Sequence, residues 1–458
     1  MNNPSPKNQL MGFRFLILGS CLILTLLSFS QKKDKTKEEK LEPIVMLGYV
    51  DFREANIWVM NDDGVNFIQY WDVTQPDEKV KVLGTVKKVN NQFISDFKIG
   101  PLQPGTTYQY KLLGFLGIGD KDEKVYKLTT PALWRYRTPP PDFQIAVGSC
   151  HYTNEKAFDR LSAPYGDTAT EIFDKIVSKN PSLMIWGGDN IYLREPDWGS
   201  ETGIYERYIH LRKQNGMKNL LSACPNVAIW DDHDFGPNDG NGSFANKEKT
   251  LKAFNDFWAN PGSGMSEFKG ITYAFDLNDV HFLMMDNRYH RTPDFCDSCQ
   301  EETILGKSQL DWFKMNLLYL PADEFKVVCI GGQFLNTAKV YENHSKWEWE
   351  RNDIIQFIYK HKIKNVVFIT GDRHMSELSL LQKTGEPTIY DFTVSPLTSG
   401  VFSKFNEINA NRVEGTLFLN ERNFGIVQFV GKGKERSIRF ILHDKTGNEV
   451  YMKQYVRE

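Results

Sequence analysis

The pattern of apolar and polar positions changes near residue 140. Upstream, the two alternate. Phe93, Ser95, Phe97 and Ile99 fall on one face, and Tyr108, Tyr110 and Leu112 fall on another with Gln109 and Lys111 opposite; Trp134 and Tyr136 alternate with Arg135 and Arg137. A period of two predicts half-buried strands. Asp63-Gly64, Asn90-Asn91, Pro104-Gly105 and Gly117–Asp120 provide turns between them. Roughly seven short strands in this stretch predict a small all-β sandwich over residues 44–138. Thr138-Pro139-Pro140-Pro141 then makes a stiff linker.

From residue 143 to 458, apolar runs alternate with helix-like segments, the signature of βα units and an α/β fold. Helices are predicted over Thr170–Lys179, Lys247–Ala259, Leu305–Tyr319 and Trp347–His361, where Ile354, Phe357 and Ile358 follow helical spacing. Near the end, Gly425–Val430, Ser437–Leu442 and Glu449–Tyr455 read as further antiparallel strands on this larger domain. Ser395–Arg422, rich in Asn, Ser and Gly, reads as a lid or an ordinary surface loop.

Six of the apolar runs end in polar clusters. Phe143–Val147 leads into Gly148-Ser149-Cys150-His151, Leu183–Trp186 into Gly187-Gly188-Asp189-Asn190-Ile191-Tyr192, and Val227–Trp230 into Asp231-Asp232-His233-Asp234. His281–Met285 leads into Asp286-Asn287-Arg288-Tyr289-His290-Arg291, Val327–Ile330 into Gly331–Asn336, and Val366–Thr370 into Gly371-Asp372-Arg373-His374. Open α/β sheets bind ligands beyond the carboxyl ends of their strands. If these strands share a sheet, six polar ends meet in one place.

A length of 458 residues suits two domains, and 41% apolar residues are ample for their cores. The formal charge of −3 gives no electrostatic case for nucleic acid. Residues 1–30 read as a signal peptide: Lys7 and Arg14 precede the apolar run Phe15–Phe29, which is too short for a spanning helix. Leu18-Gly19-Ser20-Cys21 resembles a lipoprotein processing site, but apolar residues continue past Cys21 and argue against lipidation. Residues 31–43 form a charged tether. The expectation is an exported protein, periplasmic or extracellular, with no transmembrane segment once the signal is removed. Of the remaining cysteines, Cys296 and Cys299 fit a local disulfide, and Cys329 fits the core.

The densest polar cluster, within Asn226–Asp239, puts three carboxylates and an imidazole in four consecutive positions, Asp231 to Asp234. Buried carboxylates must be paired or bind metal. No nucleophile elbow surrounds Ser149, and no Gly-rich phosphate loop with Lys is present. Hydrolysis by a metal-activated water remains. Carboxylates for metals beside arginines for an anion indicate a phosphate ester.

Gly148-Ser149-Cys150, Gly188-Asp189-x-x-Tyr192, Trp230-Asp231-Asp232-His233-Asp234, Asp286-x-Arg288 and Gly371-Asp372-Arg373-His374 together resemble the motif series of the alkaline phosphatase D (PhoD-type) family of calcineurin-like metallophosphoesterases. The N-terminal segment, through Leu102–Tyr110, resembles fibronectin type III domains. The resemblance implies a four-layer αββα catalytic domain and a phosphoesterase acting by metal-activated hydroxide attack. It implies Fe3+ held by Cys150, Asp189 and Tyr192, with Ca2+ beside it and Asp189 bridging. Asp232 stands where related enzymes have an Asn ligand. Asp372 and His374 stand where the superfamily has two histidines. His233 is implied as transition-state contact or proton donor, with Arg288 and Arg373 holding phosphate. Asp234 departs from the pattern, which has Glu most often there. His151 reads as a turn residue, His290 and Arg291 as surface charges, and Gln333 and Asn336 as strand-end hydrogen-bonding groups. A non-catalytic, metal-stabilised extracellular binding protein is the alternative. A purple-acid-type site would want more histidine than the nine present.

Overall fold

The computed structural model describes residues 42–458, except 115, 156, 160–165, 167–169, 295–301 and 403. The predicted signal, most of the tether and the Cys296–Cys299 pair lie outside the described residues. None of the described helices is long and apolar enough to cross a membrane.

The alternating N-terminal segment forms eight strands: β1 (Ile44–Val50), β2 (Ala55–Asn61), β3 (Phe67–Asp72), β4 (Val80–Leu83), β5 (Thr85–Val89), β6 (Gln92–Ile99), β7 (Thr107–Leu113) and β8 (Tyr126–Thr129). They make two four-stranded antiparallel sheets, ordered β1-β2-β6-β5 and β4-β3-β7-β8. One apolar cluster, including Ile57, Ile68, Phe97, Tyr110 and Leu112, joins the sheets. The Trp134–Arg137 alternation does not become a strand. It is a turn closed by Arg137 N–H donating to the Trp134 carbonyl, with Tyr136 at φ 64°. Prolines on either side deny this short stretch a ladder.

The predicted apolar runs after residue 143 are strands, but they do not share a sheet. β9 (Phe143–Gly148), β10 (Leu183–Gly187) and β11 (Asn226–Ile229) lie in one six-stranded sheet. β12 (Tyr273–Leu277), β13 (Val280–Met284), β14 (Phe325–Cys329), β15 (Val366–Thr370), β16 (Glu377–Leu381) and β17 (Ile389–Thr393) make a second, ordered β12-β13-β14-β15-β17-β16. The C-terminal strands β18 (Asn423–Val430), β19 (Ser437–Asp444) and β20 (Glu449–Val456) extend the first sheet to β11-β10-β9-β18-β19-β20. The inner faces meet through aromatic pairs, Phe325 with Phe429 at 5.2 Å and Phe392 with Phe440 at 5.4 Å.

Helices cover both outer faces. Lys307–Tyr319 and Glu348–Lys360 bury Phe313, Leu317, Ile354 and Ile358 against Val328 and Phe368 of the second sheet. Phe173, from the helix Glu171–Ser178, packs on Trp186 of the first. The order is αββα. Strands sandwiched in this way are buried on both faces, which explains their unbroken apolar sequences. The helices Glu201–Arg212 and Asn215–Ala223 were not expected from the sequence.

The N-terminal sheets are fastened to the rest by Trp58 Nε1–H donating to the Asp256 carbonyl (2.8 Å) and by Arg135 pairing with Glu324 (2.7 Å). Glu324 also meets His281 Nε2 at 2.7 Å, while His281 Nδ1 meets Asp276 at 2.6 Å. Burial disfavours a charged His281, but the two carboxylates overcome it and raise the imidazole to about 9. Burial likewise opposes the Glu324 charge, yet His281 and Arg135 hold it down to about 2. The imidazolium therefore contributes stability fully below its unfolded value of about 6.5 and loses it as pH rises through about 9. Glu324 contributes above its unfolded value of about 4.3 and loses it as pH falls towards 2. Wild type should exceed His281→Asn in urea stability most between about pH 5 and 6.5, with the gap closing above pH 9. A gap independent of pH would refute the assignment.

Candidate metal centre

The site is built where strands end and the chain turns back sharply. Cys150, Asp189, Asp372 and His374 have φ of 60°, 52°, 67° and 51°. Non-glycine residues rarely adopt this left-handed region, at a cost of about 1–3 kcal/mol each, and clusters of them mark functional sites. Two glycines permit the close approach. Gly188 lies at φ 98° with Asp231 Cβ 2.8 Å from where its own Cβ would stand, and a Cβ on Gly371 would meet Ser149 Oγ. The Gly371 N–H donates to the Gly331 carbonyl, tying neighbouring strand ends together. The six polar ends thus meet across two stacked sheets instead of along one.

Cys150 Sγ is 3.6 Å from Asp189 Oδ2, to which the Tyr192 hydroxyl donates at 3.0 Å. The same hydroxyl is 3.1 Å from His374 Nε2. Ligand atoms of Cys150, Asp189 and His374 all lie within 4.8 Å of one another, as do those of Asp189, Asp232 and His233 and those of Asp231, Asp232 and Asp372. Asp189 and Asp232 each recur between groups. A further group, Asp232, Asp239 and Glu342, opens on the same cleft.

Burial and mutual repulsion dominate the electrostatics. Burial, then the charges of Asp232 and Cys150, push Asp189 well above the usual carboxylate range. Burial, then Asp231 and Asp232, raise Asp372 to about 8. Burial takes the Cys150 thiol up to about 12 and the Tyr192 phenol well up. It lowers His374 to about 4, leaving a neutral imidazole. Burial would also raise Asp232, but His233 and Arg288 bring it below the usual range. Thiol, phenol, imidazole and carboxylates, closely packed and short of positive charge, are a donor set suited to cations.

His233 lies at the cleft surface, its Nε2 3.9 Å from Asp232 and its ring 4.1 Å from that of Tyr192. Its N–H is anchored to Asp232 Oδ1 at 3.0 Å. Arg288 is not placed to hold a phosphate. It is fully buried, with Nε donating to Asp231 (2.5 Å), both terminal nitrogens to Glu342 and Nη1 also to the Gly240 carbonyl. Arg373 lines the cleft, but its guanidinium is fastened to Gln333, Asn343 and Glu407. Gln333 and Asn336 belong to the network beneath it. Arg291, expected on the surface, is buried against Trp347 and bonded to Asp294 and Glu342. His151 packs beneath the site with Nδ1 2.8 Å from Thr398 Oγ1. Asp234 accepts from the Asn190 and Asp231 N–H groups at 3.0 Å, bracing the turn from behind.

Glu342, Tyr341 and Phe402 also line the cleft and were not expected from the sequence. Asp239 stands in the densest motif and was within reach, whereas Glu342 lies in a turn far from any strand end and carries no local signal.

The model of the PhoD-like phosphatase family matches residues 161–436, more than half of the chain. The chain belongs to this family. As a PhoD-like phosphatase it is a phosphoester hydrolase. The solved structure of PhoD is similar over 90% of this chain and 90% of its own, at 16% identity and a TM-score of 0.69. Purple acid phosphatase PPD1 from yellow lupin (Lupinus luteus) seeds is similar over 91% of this chain and 74% of its own, at 11% identity and a TM-score of 0.66. These are likenesses of fold. No curated protein matches the sequence.

Arg288 neutralises buried carboxylates, so Arg288→Met should lower urea stability by about 3–5 kcal/mol, because the charges it leaves cannot be solvated. A purely phosphate-holding arginine would instead raise KM and leave the unfolding midpoint unchanged.

Proposed function

We propose that this PhoD-like phosphatase is an exported, metal-dependent enzyme whose two adjoining metal positions share Asp189. Cys150, Asp189, Tyr192 and His374 would hold Fe3+, because anionic sulfur and phenolate oxygen suit a trivalent iron. Asp189, Asp232 and Asp372 would hold Ca2+, a hard cation that prefers carboxylate oxygens. The observation that carries this reading is the crowding of buried acids at Asp189, with Asp232, Cys150, Asp231 and Asp234 all acting against its ionisation. When bound, the metals supply Lewis acidity and lower the pKa of coordinated water towards neutrality.

The chain's own groups do the rest. His233, reaching into the cleft from a turn pinned to Asp232 and Asp189, delivers a proton to the departing ester oxygen. Arg288 acts from beneath by fixing Asp231 and countering the charge of Asp232. Arg373 adds positive charge to the cleft wall. Both phosphate monoesters and diesters fall within this chemistry. Export rests on the charged start and apolar run of residues 1–30.

Two outcomes test the reading. Asp189→Ala and His374→Ala should lose bound metal and turnover together, and normal turnover in either would refute the site. His233→Ala should retain its metals and lose about 10²–10⁴-fold in kcat, more with poor leaving groups such as glycerol than with nitrophenol. An equal loss with both leaving groups would exclude His233 as the proton donor.

A further inference from the structure

The cleft over the acidic cluster has a volume of about 460 Å³, and one of its walls is aromatic. Tyr341 and Phe402 line that wall, with ring centroids 5.5 Å apart in an edge-to-face arrangement. Tyr341 is 54% exposed and sits at φ 47°. A tyrosine ring held out at a left-handed turn is an expensive arrangement that packing alone does not call for.

Each ring is also held in place. The Arg373 guanidinium lies 4.7 Å from the Tyr341 ring centre, and Arg373 is itself fixed by Glu407, Gln333 and Asn343. Phe402 is tied to the site through its backbone, its N–H donating to the His374 carbonyl at 2.9 Å. The preceding Leu397 N–H donates to the Ser149 carbonyl and the Ser399 N–H to the Cys150 carbonyl. The aromatic wall is therefore referenced to the same strand-end turns that carry the candidate metal donors.

The charges around the wall narrow what it receives. The cationic side chains lining the cleft are already engaged by carboxylates, Lys346 by Asp294 and Arg373 by Glu407. Asp239 is exposed at the rim, whereas Glu342, which also lines the cleft, is paired with Arg288 and Arg291. A leaving group bearing another phosphate or carboxylate would meet the exposed Asp239 while the lysine and arginine of the cleft are already paired. A neutral, flat ring would meet two ring surfaces, and stacking of this kind is worth about 1–3 kcal/mol per ring.

We infer that Tyr341 and Phe402 form the leaving-group subsite and select phosphate esters whose leaving group carries a neutral, flat aromatic ring, as in aryl or nucleoside esters. This rests on the phosphoesterase reading and adds the substrate class to it. Both residues determine specificity and take no part in proton or phosphoryl transfer.

The test compares naphthyl phosphate with glycerol phosphate in the metal-loaded wild type, Tyr341→Ala, Phe402→Ala and Phe402→Trp. The ratio of their kcat/KM values cancels any general loss of folding or metal, and its change from wild type to variant cancels the intrinsic difference between leaving groups. That ratio should fall about tenfold in each alanine variant, chiefly through KM, and be kept in Phe402→Trp. Phe402→Ala is the cleaner change, since its backbone bond to His374 survives. Calorimetry gives a readout without turnover: naphthylphosphonate should bind wild type more tightly than methylphosphonate does, and Phe402→Ala should remove that preference. An unchanged ratio in both alanine variants would overturn the subsite while leaving the phosphoesterase reading intact. No turnover of either ester by metal-loaded wild type would overturn both.

Discussion

Too much negative charge is buried in too small a space. Asp189, Asp231 and Asp232 converge with the Cys150 thiol and Tyr192 phenol, all buried, and with the half-buried Asp372. An ionised carboxylate in such surroundings is tolerable only beside a cation. Arg288 meets part of this demand from below, through Asp231 and the nearby Asp232. Among the described residues no cation comparable to Arg288 stands beside Asp189 or Cys150, and that shortfall is the physical basis for a metal centre. The left-handed turns at Cys150, Asp189, Asp372 and His374 belong to the same constraint: an extended continuation would carry these side chains past the junction of the sheets.

The two-sheet arrangement supplies the means. Stacking β9–β11 against β13–β15 brings six strand ends to one edge from two directions, which a single open sheet spreads over its width. Aromatic packing between the inner faces and helices on the outer faces make the scaffold rigid. Acids can be held at close quarters because the backbone beneath them cannot relax to separate them. The N-terminal sheets add no group to this site and are bolted on through Trp58 and the Arg135–Glu324–His281 cluster.

Much of this was legible in the chain. The six strands stood out because strands covered on both faces read as unbroken apolar runs, and each run ended abruptly in polar residues. Cys150, Asp189, Asp232, His233, Asp372 and His374 were all visible as such ends, and the structure brings them together. What stayed hidden depends on long-range contacts. Which strands share a sheet is not written in any local pattern. Arg288 reads as a phosphate contact and Arg291 as a surface cation until Glu342, which carries no local mark, is folded over them. The Trp134–Arg137 alternation is genuine in sequence, but prolines on both sides leave it no partner strand.

On the proposed function, bound cations balance the buried acids, with the thiol and phenol at one position and carboxylates alone at the other. Elemental analysis of the purified protein, produced with iron and calcium supplied, addresses it without any assumption about substrate. Near-stoichiometric iron accompanied by calcium is the predicted result. Protein that is folded yet binds no metal would contradict the account at its root.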